Sequence, residues 1–385
     1  MSLFSPRHIT AGFTAVLVGY TSSVVIIIEA AKQAGASSAQ ISSWLLILGL
    51  AMGITSIGFS LYFKKPVLTA WSTPGAALLV SMAAQFPLEQ VIAAFAISAI
   101  LTIVTGFIRP VRELLHRIPA PIATAMLAGI LIPFCTRAFL AAESDIIAFC
   151  VMFSAFVFSK RILPQYSMLI LLICALGATY FRGVLSDVTW NADLATLVWV
   201  TPQWSLSATI NLALPLYLIT MLSQNLPGIA MLQTHGYKIN VKKTFITSGL
   251  LNTLFAPFGC LSINLAAISA AICMNESVDK DENMRYKASC WAGVFYIFAG
   301  IWSNQVVQLF LALPAEITHL IAGLALLSTL TLCLTNAVSK PSERDCAILT
   351  LLVTLSGISL FGVSSAILGL IVGIAYYLLF SRTRA

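Results

Sequence analysis

Polar side chains are scarce in this chain, so chemistry must reside in the few that interrupt its apolar runs. Ser223, Gln224 and Asn225 stand together in one such run and are followed by Pro227 and Gly228. Inside a membrane, residues of this kind either face a binding site or hydrogen-bond across helices. Two other stretches cannot be uninterrupted helix. In 66–77, Pro66 and Pro74 each remove an amide donor and push the preceding residue toward extended geometry. Ser72 or Thr73 ahead of Pro74 reads as a helix N-cap with proline in the first turn, and Gly75 follows. In 257–267, extended backbone is expected through about Ile263, with Asn264 capping a second half-helix beside Leu265. Extended backbone at membrane depth is tolerated only where protein buries it or where it lines a cavity. Two such stretches could pair and aim two helix N-termini at one midplane site. Proline kinks that serve only packing are the alternative.

Other candidates sit on the first apolar run. Ser22 and Ser23 parallel Ser223 and Gln224, and Tyr20 lies just before them. Tyrosine can stack on or hydrogen-bond an aromatic acid, or simply pack. Glu29 is the one carboxylate well inside an expected span, which makes it the proton-coupling candidate. Lys32 three residues on offers the plainer reading of an i,i+3 surface pair. His319, at the start of a later span, is read as interfacial. The eight cysteines form no CxxC pair and are read as reduced core residues. No cofactor or metal is expected. Nor is there a nucleotide-binding glycine loop or an acid cluster on which an enzyme or an ATP-driven pump could rest.

The elements that hold these residues follow from composition. With 59% hydrophobic and 9% charged residues, the chain could not cover a soluble domain of 385 residues. Apolar runs of membrane-spanning length fall near 9–31, 40–63, 66–84, 88–108, 119–137, 145–159 and 165–182. A second set falls near 207–232, 241–257, 258–274, 286–304, 314–336, 345–361 and 363–380. The first run has no cleavage pattern after it and is read as a span rather than a signal peptide. Placing both termini inside puts 18 of the 21 Lys and Arg residues in inner loops and leaves only Lys32, Arg137 and Arg182 outside. That bias supports fourteen spans and cytoplasmic termini, and the membrane expected is a bacterial inner membrane. The net charge of +7 thus speaks of orientation in a lipid bilayer, and no nucleic acid is expected as partner. The long outer loop carries Trp190, Trp199 and Trp204.

The halves also resemble each other in order. Pro66 answers to Pro257, 126–130 (MLAGI) to 320–324 (LIAGL), Ser22 with Gly35 to Ser223 with Gly236. Seven spans per half is odd, so the second half is inverted relative to the first, as in alternating-access carriers. The expected fold is therefore an all-α integral membrane protein of 14 segments, 7+7 inverted, with discontinuous third and tenth segments.

Three runs carry a family resemblance. Residues 71–79 (WSTPGAALL), 220–230 (TMLSQNLPGIA) and 264–273 (NLAAISAAIC) are similar to the BenE family of benzoate transporters, and the likeness covers nearly the whole chain. The resemblance implies the UraA-type fold, divided into core and gate. The core is then 9–108 (spans 1–4) and 207–304 (spans 8–11), and the gate 109–182 (spans 5–7) and 314–380 (spans 12–14). The loop 183–206 is extracytoplasmic. It also implies import of benzoate or a similar aromatic carboxylate with a proton. The substrate-binding candidates are Tyr20, Ser22, Ser72, Thr73, Gly75, Ser223, Gln224, Asn225, Asn264 and Leu265. A homodimer is one assembly the sequence leaves open. Related nucleobase carriers are expected to have carboxylates where this chain has amides, which favours a substrate bringing its own negative charge. Cys260 and Ser269 depart from the family's usual glycine and threonine, and 277–280 (SVDK) replaces a common His-Pro pair. A permease or channel of the same fold for another small anion is the alternative.

Overall fold

The computed structural model describes residues 5–108, 110, 119–181 and 193–380. Arg109, Arg112, Arg117, Arg182, Trp190, Arg382 and Arg384 lie outside the described residues, as does the outer loop before residue 193. The first half runs α1 (Pro6–Thr21), α2 (Val24–Gln33), α3 (Ser38–Phe63), β1 (Thr69–Trp71), α4 (Thr73–Met82), α5 (Leu88–Phe107), α6 (Ala120–Ser144), α7 (Ile146–Ile162) and α8 (Ser167–Phe181). The second runs α9 (Leu206–Thr234), α10 (Val241–Phe255), β2 (Ile263–Leu265), α11 (Ile268–Met274), α12 (Tyr286–Ile301), α13 (Ser303–Leu311), α14 (Ala315–Ala337), α15 (Arg344–Leu355) and α16 (Ser365–Phe380).

Among the described residues, six helical stretches are long and apolar enough to cross a membrane: α1 with α2, then α3, α5, α6, α9 and α14. Counting α12 and α13 as one bent span makes seven. The other helices are shorter than simple spans. At 1.5 Å per residue, a helix of 15–17 residues such as α7, α8 or α10 rises only roughly 23–26 Å.

Local sequence explains the corresponding turns of the two halves. Gly35 (φ 80°) follows α2 and Gly236 (φ 81°) follows α9, each in the left-handed conformation that glycine adopts without strain. The Ala36 amide donates to the Ala31 carbonyl at 3.0 Å, and the Tyr237 amide to the Leu232 carbonyl at 2.8 Å. These are matching Schellman closures. Ser37 then caps α3, with Gln40 completing the capping box, and Asn240 caps α10.

The chain forms two compact units. The first comprises Met1–Gly19, Ala30–Ile118 and Leu194–Asn304. In it α3 packs along α12, α5 packs along α10, and β1 pairs with β2. The second comprises Tyr20–Glu29, Pro119–Asp193 and Gln305–Ala385. There α6 packs on α14 and α15, α15 packs on α16, and α7 packs on α8. Met126, Leu127, Leu320 and Leu324 are buried in its interior.

Candidate functional site

Two short strands organise the polar residues of the first unit. β1 and β2 are antiparallel, with Thr69 opposite Leu265, Ala70 opposite Asn264 and Trp71 opposite Ile263. The ladder extends by one bond at each end: the Ser72 amide donates to the Ser262 carbonyl (3.1 Å) and the Ala266 amide to the Leu68 carbonyl (2.9 Å). Each strand thus satisfies backbone groups that the other would otherwise leave buried and unpaired.

Side chains from neighbouring helices fix the pair. From α3, the Thr55 and Ser56 hydroxyls meet the Thr69 hydroxyl at 2.6 and 2.9 Å, and Ser56 Oγ also accepts from the Thr69 amide. From α10, Asn252 Oδ1 accepts from the Ile263 amide (3.0 Å) while its Nδ2 donates to the Ile263 carbonyl (3.1 Å). From α9, Asn225 Oδ1 accepts from the Leu265 amide (3.1 Å) and its Nδ2 donates to Asn264 Oδ1 (2.8 Å). α9 also runs close to β2 at Gly228, where a Cβ would stand 2.6 Å from Leu265 Cβ.

α4 begins where β1 ends. Ser72 is fully buried and is the N-cap, its Oγ accepting from the Gly75 amide at 2.9 Å. Thr73 is half-buried at the first helical position, followed by Pro74. The second junction differs from expectation. Asn264 is a strand residue rather than a cap, and α11 opens only at Ile268 behind Ala267, with no side-chain cap. Asn264 Nδ2 instead donates to Ser262 Oγ (3.0 Å). The pairing with β1 extends the backbone past the point where Asn264 could have capped.

The triplet on α9 lies in a π-helical turn, Met221–Asn225, and a second such turn covers Thr209–Ala213. Each precedes a proline, Pro227 and Pro215. Proline has no amide to donate and its ring crowds the carbonyl four residues back, which a widened turn relieves. Within this turn Ser223 Oγ is bonded to its own helix, donating to the Ile219 carbonyl at 2.5 Å. Asn225 is turned to β2. Gln224 remains: Nε2 lies 3.5 Å from the Trp71 carbonyl, and Oε1 is buried with no hydrogen-bond partner.

The first unit therefore gathers Ser72, Thr73, Gly75, Ser223, Gln224, Asn225, Asn264 and Leu265. Tyr20 and Ser22 belong to the second unit, Tyr20 buried and Ser22 in the turn between α1 and α2. So does Glu29, which is not a surface carboxylate: it is 6% exposed, with the His319 imidazole Nε2 4.0 Å from its Oε1. Sequence reasoning missed Asn252, Thr55 and Ser56. An amide in the middle of an apolar helix, five residues before Pro257, was the available signal for Asn252. A cavity of about 230 Å³ in the second unit, lined by Asp145, Phe149, Met152 and Glu316 among others, contains none of the candidates.

Outside the membrane-spanning segments, the loop after α11 is ordered by its own side chains. Asp279 Oδ2 lies 2.9 Å from His8 Nε2, and Asp279 Oδ1 accepts from the Asp281 amide. The Asp281 amide foremost, then His8 and Lys287, hold the Asp279 carboxyl below its usual pKa against a partial desolvation penalty.

A family model described as BenE, benzoate membrane transport protein, matches residues 2–379. The chain is 41% identical over 377 residues to the inner membrane protein YdcO of Escherichia coli (strain K12), covering 97% of this chain and 96% of that one. It is 36% identical over 376 residues to the benzoate membrane transport protein of Acinetobacter baylyi (strain ATCC 33305 / BD413 / ADP1), covering 97% and 95%. Among solved structures, SLC26A9 superposes with a TM-score of 0.63 at 14% identity, over 96% of this chain and 65% of that one. The transmembrane domain of the cyanobacterial bicarbonate transporter BicA gives a TM-score of 0.63 at 11% identity, over 96% and 97%. At such identities the two structures show a shared fold.

Proposed function

The chain belongs to the benzoate membrane transport family, BenE, and on that premise we propose that it is a secondary carrier of benzoate or a similar aromatic monocarboxylate. It is a membrane transport protein rather than an enzyme. The observation that carries the substrate site is the β1–β2 pair, from which α4 departs next to the Gln224 amide, with α11 opening three residues past the end of β2. Amides that open helices attract anions, and a buried glutamine contributes donors without a competing negative charge. The aromatic ring would be held by burial of its apolar area. Ser72, Thr73, Gly75, Gln224 and Leu265 are proposed to touch substrate. Asn225 and Asn264 position the strand, and Ser223 serves its helix.

The proposed architecture is fourteen spans as two inverted repeats in a bacterial inner membrane, both termini cytoplasmic, with β1–α4 and β2–α11 as discontinuous spans 3 and 10. Three features support it. The matching closures at Gly35 and Gly236 recur in order with caps at Ser37 and Asn240. In the first unit, the pairing of spans 2 and 11 is repeated by that of spans 9 and 4. The β ladder is centred on Ala70 and Asn264, as strands exchanged by a two-fold axis would be. Core and gate, spans 1–4 with 8–11 and spans 5–7 with 12–14, would move relative to each other to give alternating access, with Glu29 coupling a proton.

The test is uptake of labelled benzoate into proteoliposomes holding the purified protein, with the lumen made alkaline. Saturable accumulation above equilibrium, abolished when the pH gradient is dissipated, is expected. Non-saturable flux would favour a channel, and failure to take up benzoate while another small anion accumulates would replace the substrate.

A further inference from the structure

The second unit holds a histidine–carboxylate pair that the substrate site does not use. Glu29 lies in α2 with Ile26, Ile27, Ile28, Ala30 and Ala31, each at most 1% exposed. A carboxylate among such neighbours is costly, and charges are kept there for a function or a partner. Its neighbour on α14 is His319: Nε2 lies 4.0 Å from Glu29 Oε1, and the side chains are 49% and 9% exposed respectively. One end of this pair therefore reaches the surface of the chain and the other is buried. Histidine is the side chain whose ordinary pKa lets it gain and lose a proton near neutrality.

We propose that His319 is the proton entry for Glu29: a relay that loads the buried carboxylate from outside. Hydronium on the outer side gives its proton to the His319 imidazole, leaving water. The imidazolium then passes a proton to the Glu29 carboxylate, leaving neutral histidine and a neutral carboxylic acid, so charge and protons balance. At 4.0 Å the transfer needs one intervening water or a small rotation of the exposed ring. In the proposed orientation both groups lie toward the outer side, where protons for import arrive. Lys32 is the other charged group on α2, and Glu316 stands one turn before His319 on α14. The elements packed on α14 bring Arg137 and Glu143 on α6, Asp145 at the head of α7 and Tyr180 on α8. Of all these, only Lys32, on α2 with Glu29, and Glu316, on α14 with His319, share a helix with a member of the relay.

The inference rests on the proton-coupled reading above, so its test has one part that needs no substrate. Infrared difference spectra of the purified protein after a rapid acid jump report protonated carboxyls, and Glu29→Gln assigns the Glu29 band. Removing the imidazole by His319→Gln should slow the growth of that band on the order of 100-fold, because the proton loses its carrier. In proteoliposomes, His319→Gln should abolish accumulation driven by a pH gradient while keeping exchange of labelled for unlabelled benzoate. An unchanged rate of band growth, or full accumulation by His319→Gln, overturns the relay. Loss of exchange together with accumulation also overturns it, since that is the mark of a structural defect. If wild type fails to carry benzoate but the band grows more slowly in His319→Gln, the substrate reading falls and the relay stands.

Discussion

The polar triplet on α9 divides its labour by atom. Ser223 Oγ is occupied by the Ile219 carbonyl, both ends of the Asn225 amide are occupied at β2, and Gln224 Oε1 is left unpaired. Gln224 Nε2 keeps a hydrogen beyond the one aimed at the Trp71 carbonyl, so Gln224→Ala should weaken benzoate binding by about tenfold, the scale of one hydrogen bond to a charged group, while Ser223→Ala leaves it nearly unchanged. Calorimetric titration of both variants decides this. Asn252→Ala and Asn225→Ala should instead lower stability by about 1–3 kcal/mol, since each strands buried backbone groups of β2. Their thermal unfolding in detergent should shift before any affinity does. Charge sets a further expectation. Each helix opening acts like roughly half a positive charge, so if α4 and α11 both open onto the proposed site they together balance about one anion. Benzoate should bind much more tightly than the dianion terephthalate, and equal affinity would refute the two-helix account. The chain's sequence named Gln224 but could not say that its neighbours were spoken for, because that depends on β2 lying alongside.

At the scale of elements, the interruptions were legible and their exact ends were not. Pro66, Pro74 and Pro257 mark where helix cannot continue, and Ser72 with Pro74 marks where α4 restarts. Asn264 misled, because capping propensity is a local preference and the cross-strand ladder is not. The π-turns were invisible to an apolar-run reading, which sees no difference between 3.6 and wider turns, although Pro215 and Pro227 were their sequence cause. Replacing that cause tests the point. Pro227→Ala should let 221–225 relax toward α-helix, rotating Ser223 and Gln224 about the axis by up to about one residue, near 100°. The variant is expected to keep or gain thermal stability and to lose most transport. Unimpaired uptake would show that the widened turn is only a packing accommodation. At the loop after α11, the lowered Asp279 pKa means its contribution to stability is present at neutral pH and is lost only as pH falls through that lowered value. Asp279→Asn should thus narrow the stability difference between neutral and strongly acidic pH, read as unfolding midpoints across that range.

For the whole molecule, fold class was written in composition, and the division into two units was not. Few charges and recurring apolar runs leave no choice but helices in lipid. The units interleave along the chain, with Tyr20–Glu29 leaving the first unit and Ala30 returning to it, and no composition shift marks those crossings. The asymmetry of Lys and Arg gives the orientation test. Protease sites appended at either terminus should be cut only from the cytoplasmic face; cleavage of both from the outer face would overturn the proposed orientation, and cleavage on opposite faces the span count. The strand pair also bears on how the protein is made. Asn264 follows Ala70 by 194 residues (264 − 70), so the ribosome finishes β1 long before its partner exists. At about 5–20 residues per second that interval is roughly 10–40 s, during which the backbone of 68–72 has no β2 to bond. The nascent first half must therefore be sheltered by the insertion machinery or by transient water. A chain truncated before residue 262 would be a natural target for membrane quality control, however well its finished helices are inserted.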